Sequence, residues 1–120
     1  ELPVMTGVIA TLKVNAGRMA RALGDELLAT DLADALVRRG VPFRESHRLV
    51  GLAVRRALAQ GCGLRGLSVE DYAAISPAFG DDITSVLDFA ASVARHDVTG
   101  GTAPAAVAEQ LRRARERLRD

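Results

Sequence analysis

Apolar residues along this chain recur at helical spacing, and no run alternates apolar and polar as a half-buried strand would. A first helix is expected from Pro3 to about Leu12, with Val4, Val8, Ile9 and Leu12 along one stripe. Asn15 can cap a short second helix through Arg18, Met19, Ala22 and Leu23, with Gly24 as its stop. Thr30 then reads as the N-cap of a helix with Asp31 and Asp34 in its first turn, where the helix dipole favours negative charge. Leu32, Ala33, Leu36 and Val37 form its apolar face, Asp34 can pair with Arg38, and Gly40 follows Arg38 and Arg39 as the stop.

Pro42 fixes the start of the next helix, expected from about Phe43 to Gln60 and ended by Gly61. Its buried stripe reads as Phe43, His47, Val50, Val54, Ala57 and Leu58, with Arg44, Arg48, Arg55 and Arg56 elsewhere. So few residues join the two helices that they must pack as a corner or hairpin. Phe43, on the rigid backbone of Pro42, is expected to anchor the core, and truncation to alanine to cost about 3–5 kcal/mol. Further on, Ser68 with Asp71 makes a capping-box variant for a short helix over Val69 to Ile75, which Pro77 cannot extend. Asp81 to Leu87 and Phe89 to Ala94 suggest two more short helices around Asp88. Gly100-Gly101-Thr102-Ala103-Pro104 then supplies a loop, an N-cap and a first-turn proline. The last helix carries Val107, Leu111, Ala114 and Leu118 on one face. The fold class is all-α: a small helical domain of about six to seven helices with no sheet.

Composition sharpens this picture. Aromatics are 3% of 120 residues, so the core must rest on Leu, Val, Ile and Ala, as in close-packed helices. A net charge of +1 removes any global electrostatic argument for nucleic acid or an anionic membrane. No apolar run approaches the roughly 20 residues that span a bilayer, and no signal-peptide pattern opens the chain, so a cytoplasmic location is the expectation. Cys62, the one cysteine, excludes an intramolecular disulfide and lies between Gly61 and Gly63 as an incidental loop residue. The apolar start, uncapped and without Met, reads as the beginning of a fragment.

Candidate chemistry has a structural explanation at each position. His47 falls on the expected apolar stripe, which makes it a hydrogen-bonded core imidazole, and His96 lies between Arg95 and Asp97 in a polar loop. No set of ligands converges by spacing on a metal. Asp31, Asp34 and Glu45 could suggest paired carboxylates, but the helix terminus, Arg38 and Arg44 account for them. Gly100-Gly101 before a helix could hold an anion, yet no phosphate-loop pattern or preceding strand accompanies it. The arginines at 112, 113, 115, 117 and 119 are partly balanced by Glu109, Glu116 and Asp120, with no aromatic interleaved. A helix-turn-helix centred on Gly40 would put Leu36 where a small residue is needed and Ser46 where an apolar one is, and its second helix would be long.

The run Thr30-Asp31-Leu32-Ala33-Asp34-Ala35-Leu36-Val37-Arg38-Arg39-Gly40-Val41-Pro42-Phe43-Arg44-Glu45-Ser46-His47 resembles "ATDLADYLVRKGVPFREAH" of the argininosuccinate lyase and δ-crystallin family. The resemblance continues through Ile75-Ser76-Pro77-Ala78-Phe79 and Ser92-Val93 to Gly100-Gly101-Thr102-Ala103-Pro104, and back to Thr6-Gly7 and Leu12-Lys13-Val14-Asn15. Ala35 and Ser46 depart from the family's tyrosine and alanine. The resemblance implies residues 1–24 as the end of a central-bundle helix with a connecting helix, and 25–120 as the C-terminal helical domain. It implies a homotetrameric parent, in the fumarase and aspartase superfamily, that cleaves argininosuccinate to arginine and fumarate. It implies no cofactor. Thr30, Asp31, Asp34, Gly40, Pro42, Phe43, Arg44, His47, Gly100, Gly101 and Thr102 carry over as fold determinants. No catalytic residue carries over, because the family's Gly-Ser-Ser-x-Met-Pro-x-Lys-x-Asn loop is absent and Lys13 is the one lysine. A free-standing helical interaction or regulatory domain derived from the lyase is the alternative, and self-association of the chain through its first helix or an exposed face beside it is expected.

Overall fold

The computed structural model describes residues 2–119; Glu1 and Asp120, at the outer ends of the two expected segments, lie outside it. Among the described residues there are seven α-helices: α1 (Leu2–Thr11), α2 (Ala16–Arg21), α3 (Ala29–Arg38), α4 (Phe43–Ala59), α5 (Val69–Ile75), α6 (Phe89–Ala94) and α7 (Pro104–Arg117). Short 3₁₀ turns at Asp25–Leu28, Leu64–Gly66, Pro77–Phe79 and Ile83–Val86 link them, and no strand occurs among the described residues. The helix expected over Asp81 to Leu87 is thus a single 3₁₀ turn, and α2 stops at Arg21, short of Ala22 and Leu23.

The core is built where α3 crosses α4. Leu28, Leu32, Leu36, Leu49, Val50, Leu64, Leu67, Tyr72, Phe79, Ile83 and Leu87 are buried together with Ala33, Ala35, Ala53 and Ala57. Tyr72 and Phe79 lie with ring centroids 5.1 Å apart, and the Tyr72 hydroxyl donates to the Leu64 carbonyl at 2.8 Å. Burial pushes the Tyr72 hydroxyl's pKa up to about 12, with smaller contributions from Asp25 and Cys62.

Three helices stand outside this core: no residue of α1, α2 or α7 is buried or packed against it, whereas α6, with no buried residue either, rests Phe89 on it. The radius of gyration is 19.1 Å, against about 14 Å for a compact chain of this size. Residues 2 to 12 contain no charged side chain, so α1 is apolar on nearly every side, not along one stripe. The expected α7 face of Val107, Leu111 and Leu118 is exposed.

The buried side of α4 also differs from expectation. Ser46, Leu49, Val50, Ala53 and Ala57 face the core, while Phe43 is 63% exposed, His47 is exposed and Leu58 is 72% exposed. Phe43 is therefore no core anchor, and His47 no core imidazole; the two rings meet edge-on with centroids 4.6 Å apart on the outside. The reason is steric: small side chains at Ser46, Ala53 and Ala57 let α4 pack against α3 with Leu49 and Val50 between them, and Phe43, His47 and Leu58 lie off that side. Ser46, fully buried, satisfies its hydroxyl on the Val41 and Pro42 carbonyls at 3.3 Å.

Candidate functional site

The family-like run builds a helix corner. Gly40 adopts φ +88°, donates to the Val37 carbonyl at 2.9 Å, and is followed by a Val41 N–H bond to the Leu36 carbonyl at 3.0 Å. These two bonds close α3 in a Schellman motif, for which glycine is the favoured residue at the left-handed position. Pro42 then stands as the extended N-cap of α4. Thr30 does not cap α3, contrary to expectation. The helix grows straight out of the preceding 3₁₀ turn, with Leu28 already helical and the Ala29 N–H bonded to the Glu26 carbonyl, so no side-chain cap is needed. Asp34 and Arg38 are exposed and form no ion pair with each other among the described residues, and Val37 faces out. Arg44 points to solvent, and Glu45 pairs with Arg48 at 2.6 Å, not with Arg44. That pair lowers the Glu45 pKa below the usual carboxylate range.

Asp31 is the most committed polar residue of the run. Its Oδ2 accepts from Ser92 Oγ at 2.8 Å and its Oδ1 from the Arg95 guanidinium at 2.6 Å, while Arg95 also donates to the Val86 carbonyl at 3.3 Å. The carboxylate is only 12% exposed. It therefore fastens α6 to the first turn of α3 across more than 60 residues of sequence. Local reading assigned Asp31 to the helix dipole and missed Ser92 and Arg95. The available signal was its place beside the buried Leu28 and Leu32, since a half-buried carboxylate requires a partner.

A second clamp lies at the other end of α3. The Arg39 guanidinium donates to the Ala78 carbonyl at 3.3 Å and to that of Phe79, and pairs with Asp82 at 2.7 Å. Asp25 likewise bridges to Arg65 at 2.7 Å, and that guanidinium lies 5.3 Å from the centre of the Phe89 ring.

The capping box of α5 forms as expected: Asp71 N–H donates to Ser68 Oγ, and Ser68 N–H to the Asp71 carboxylate at 3.1 Å. Asp71 also accepts from Arg56 at 2.8 Å and Gln60 at 3.0 Å. The Ser68 N–H above all, then Arg56 and Gln60, hold its pKa at about 2 instead of 3.8. A depressed folded pKa gives stability that is complete above the unfolded value and lost as pH falls through the folded one. Stability is therefore expected to fall between about pH 4 and pH 2, and Asp71→Asn to reduce that slope in acid denaturation followed by circular dichroism.

At the loop before α7, a Cβ on Gly101 would collide with the His96 carbonyl, which accepts from the Ala103 N–H at 3.0 Å. Gly100 takes φ +82°. Thr102 is exposed and caps nothing; Ala103 occupies the N-cap without a side-chain bond, and Pro104 fills N1, where no donor is needed. His96 sits at the surface with Nδ1 2.8 Å from the Ser92 carbonyl oxygen. Cys62 is half-buried, its sulfur 3.9 Å from the Gln60 amide oxygen. Among the described residues no cluster of His, Cys, Asp or Glu is placed to hold a metal, and no helix is long and apolar enough to cross a membrane.

These groups define a class of protein: a small helical domain whose buried polar side chains are committed to its own corners, caps and fastenings. The family profile described as "Argininosuccinate lyase C-terminal" matches residues 26–94, the stretch that contains the corner, the Arg39 clamp, the capping box and all of the Asp31 fastening except Arg95. The chain is 53% identical over 110 residues to the argininosuccinate lyase of Herpetosiphon aurantiacus, covering 92% of this chain and 24% of that protein. It is 51% identical over 117 residues to that of Chloroflexus aurantiacus, covering 98% and 25%. With the Chlamydomonas reinhardtii protein of the same name it shares 45% over 115 residues, covering 96% and 24%. The chain belongs to the argininosuccinate lyase family, of which it carries the C-terminal domain. It spans about a quarter of the length of the curated relatives it matches.

Proposed function

We propose that this chain is the C-terminal, non-catalytic portion of an argininosuccinate lyase, a cytoplasmic homotetramer that cleaves argininosuccinate to arginine and fumarate in arginine biosynthesis. Residues 1–24 are the end of a central-bundle helix with its connection, and 25–120 the terminal domain. The observation that carries this reading is the match across nearly the whole chain to about a quarter of each relative. The character of α1 supports it: a helix apolar on nearly every side belongs inside a larger body.

The elimination needs a base to take the proton beside a carboxylate and an acid to release the guanidinium. The Ser-Ser loop of the family is missing from these 120 residues. The domain's work is therefore to hold and complete the architecture around a site built elsewhere. The purified 120-residue chain is expected to release no fumarate from argininosuccinate, and the full-length gene product to release it at an enzyme's rate. Turnover by the short chain, free of full-length protein, would overturn the first statement. A full-length product without turnover would favour an interaction or regulatory domain. With its bundle neighbours missing, α1 is also expected to draw the short chain into self-association at micromolar concentration, and Leu12→Lys to weaken it. Sedimentation equilibrium giving 12.7 kDa for both forms would refute this.

A further inference from the structure

At 3.6 residues per turn, the exposed Phe43, His47 and Leu58 fall in one strip of α4, with the half-buried Val54 between them packed against the core, and Arg44, Arg48 and Arg55 form the outer edge beside it. Between strip and edge, in the middle of the helix, is Gly51. Glycine is among the poorest residues for a helix interior, and a Cβ there would meet nothing within 4 Å. Nothing inside the domain requires the missing side chain. A helix crossing there from outside would come nearer for its absence, because the side chains at a crossing set how near two helices come. The exposed Phe43 and Leu58 on either side of Gly51, with the Phe43–His47 pair, give such a body apolar surface to cover.

Charge decides what kind of body it is. Arg48 is held by Glu45, whereas Arg44 and Arg55 form no ion pair among the described residues. A second copy crossing face to face at Gly51 would set the Arg48 and Arg55 of one beside those of the other, which like-charge repulsion opposes. A helix with carboxylates along its rim would instead answer both free guanidinium groups.

We propose that this face of α4 is the docking surface for an acidic-rimmed helix from the remainder of the full-length lyase, crossing at Gly51. The inference rests on the reading of the chain as part of that longer protein. Two substitutions and one crosslink test it. In the 120-residue chain, Gly51→Ala and Gly51→Leu both keep or raise the melting temperature, since each improves helix propensity and enters open space. In the full-length protein, Gly51→Leu lowers it by about 5 °C or more, because the added side chain wedges the crossing apart. A benzophenone photo-crosslinker placed at His47 of the full-length protein captures a peptide from upstream of the position of Glu1, rich in Asp and Glu. Full-length protein that tolerates Gly51→Leu as the short chain does, or a crosslink that recovers only residues 1–120 of another copy or nothing, would overturn the docking surface. If the wild-type full-length protein gives the expected crosslink but no fumarate, the docking stands and the lyase reading fails.

Discussion

Phe79→Ala is expected to cost about 3–5 kcal/mol, the range for emptying a large buried aromatic site. Phe79 is fully buried, lies against Tyr72, and is carried on a one-turn 3₁₀ segment that Ser76 caps through the Ala78 N–H. The Arg39 clamp holds the carbonyls of that same turn, so the backbone cannot readily close over the void. The same truncation at Phe43 should cost under about 0.5 kcal/mol, as surface substitutions do. Urea denaturation of the two variants gives the comparison. Near-equal losses would mean that the assignment of inside and outside on α4 is wrong.

Asp31→Ala should cost about 2–3 kcal/mol, mostly because it leaves Arg95 half-buried without its carboxylate. Arg95→Ala strands the carboxylate in turn, and the double variant is expected to recover part of the sum, since the two act on one fastening. A double-mutant cycle by chemical denaturation measures this coupling. Strict additivity would mean that Asp31 and Arg95 stabilise the fold separately. Hydrogen exchange should show the loss concentrated in α6, which buries no residue of its own and depends on this contact.

These effects separate what the sequence could tell from what it could not. The α5 box was legible because Ser68 and Asp71 are three residues apart and satisfy each other within one turn. The stops at Gly40 and Gly61 were legible for the same reason, since a left-handed glycine after an apolar period is a local device. The face of α4 was legible only in part: Val50 and Ala57 of the expected stripe are buried and Val54 is half-buried against the core, whereas Phe43, His47 and Leu58 turn outward and Ser46, Leu49 and Ala53 complete the buried side against α3. The Asp31 fastening was hidden because its partners lie 61 and 64 residues away. Thr30 and Thr102 look like caps, but a preceding helical turn and a first-turn proline remove the need for either.

Tyr72 has a practical consequence of its own. The chain has one tyrosine and no tryptophan, so all of its tyrosyl near-ultraviolet signal originates at the fully buried centre of the core. That band should vanish when the α3–α4 crossing opens and remain unchanged when α1 or α7 frays, because neither terminal helix contributes to the core. Its hydroxyl, with a pKa near 12, should also ionise late in an alkaline titration. The molecule thus carries a built-in optical gauge that discriminates melting of its centre from loosening of its ends, without any label being attached.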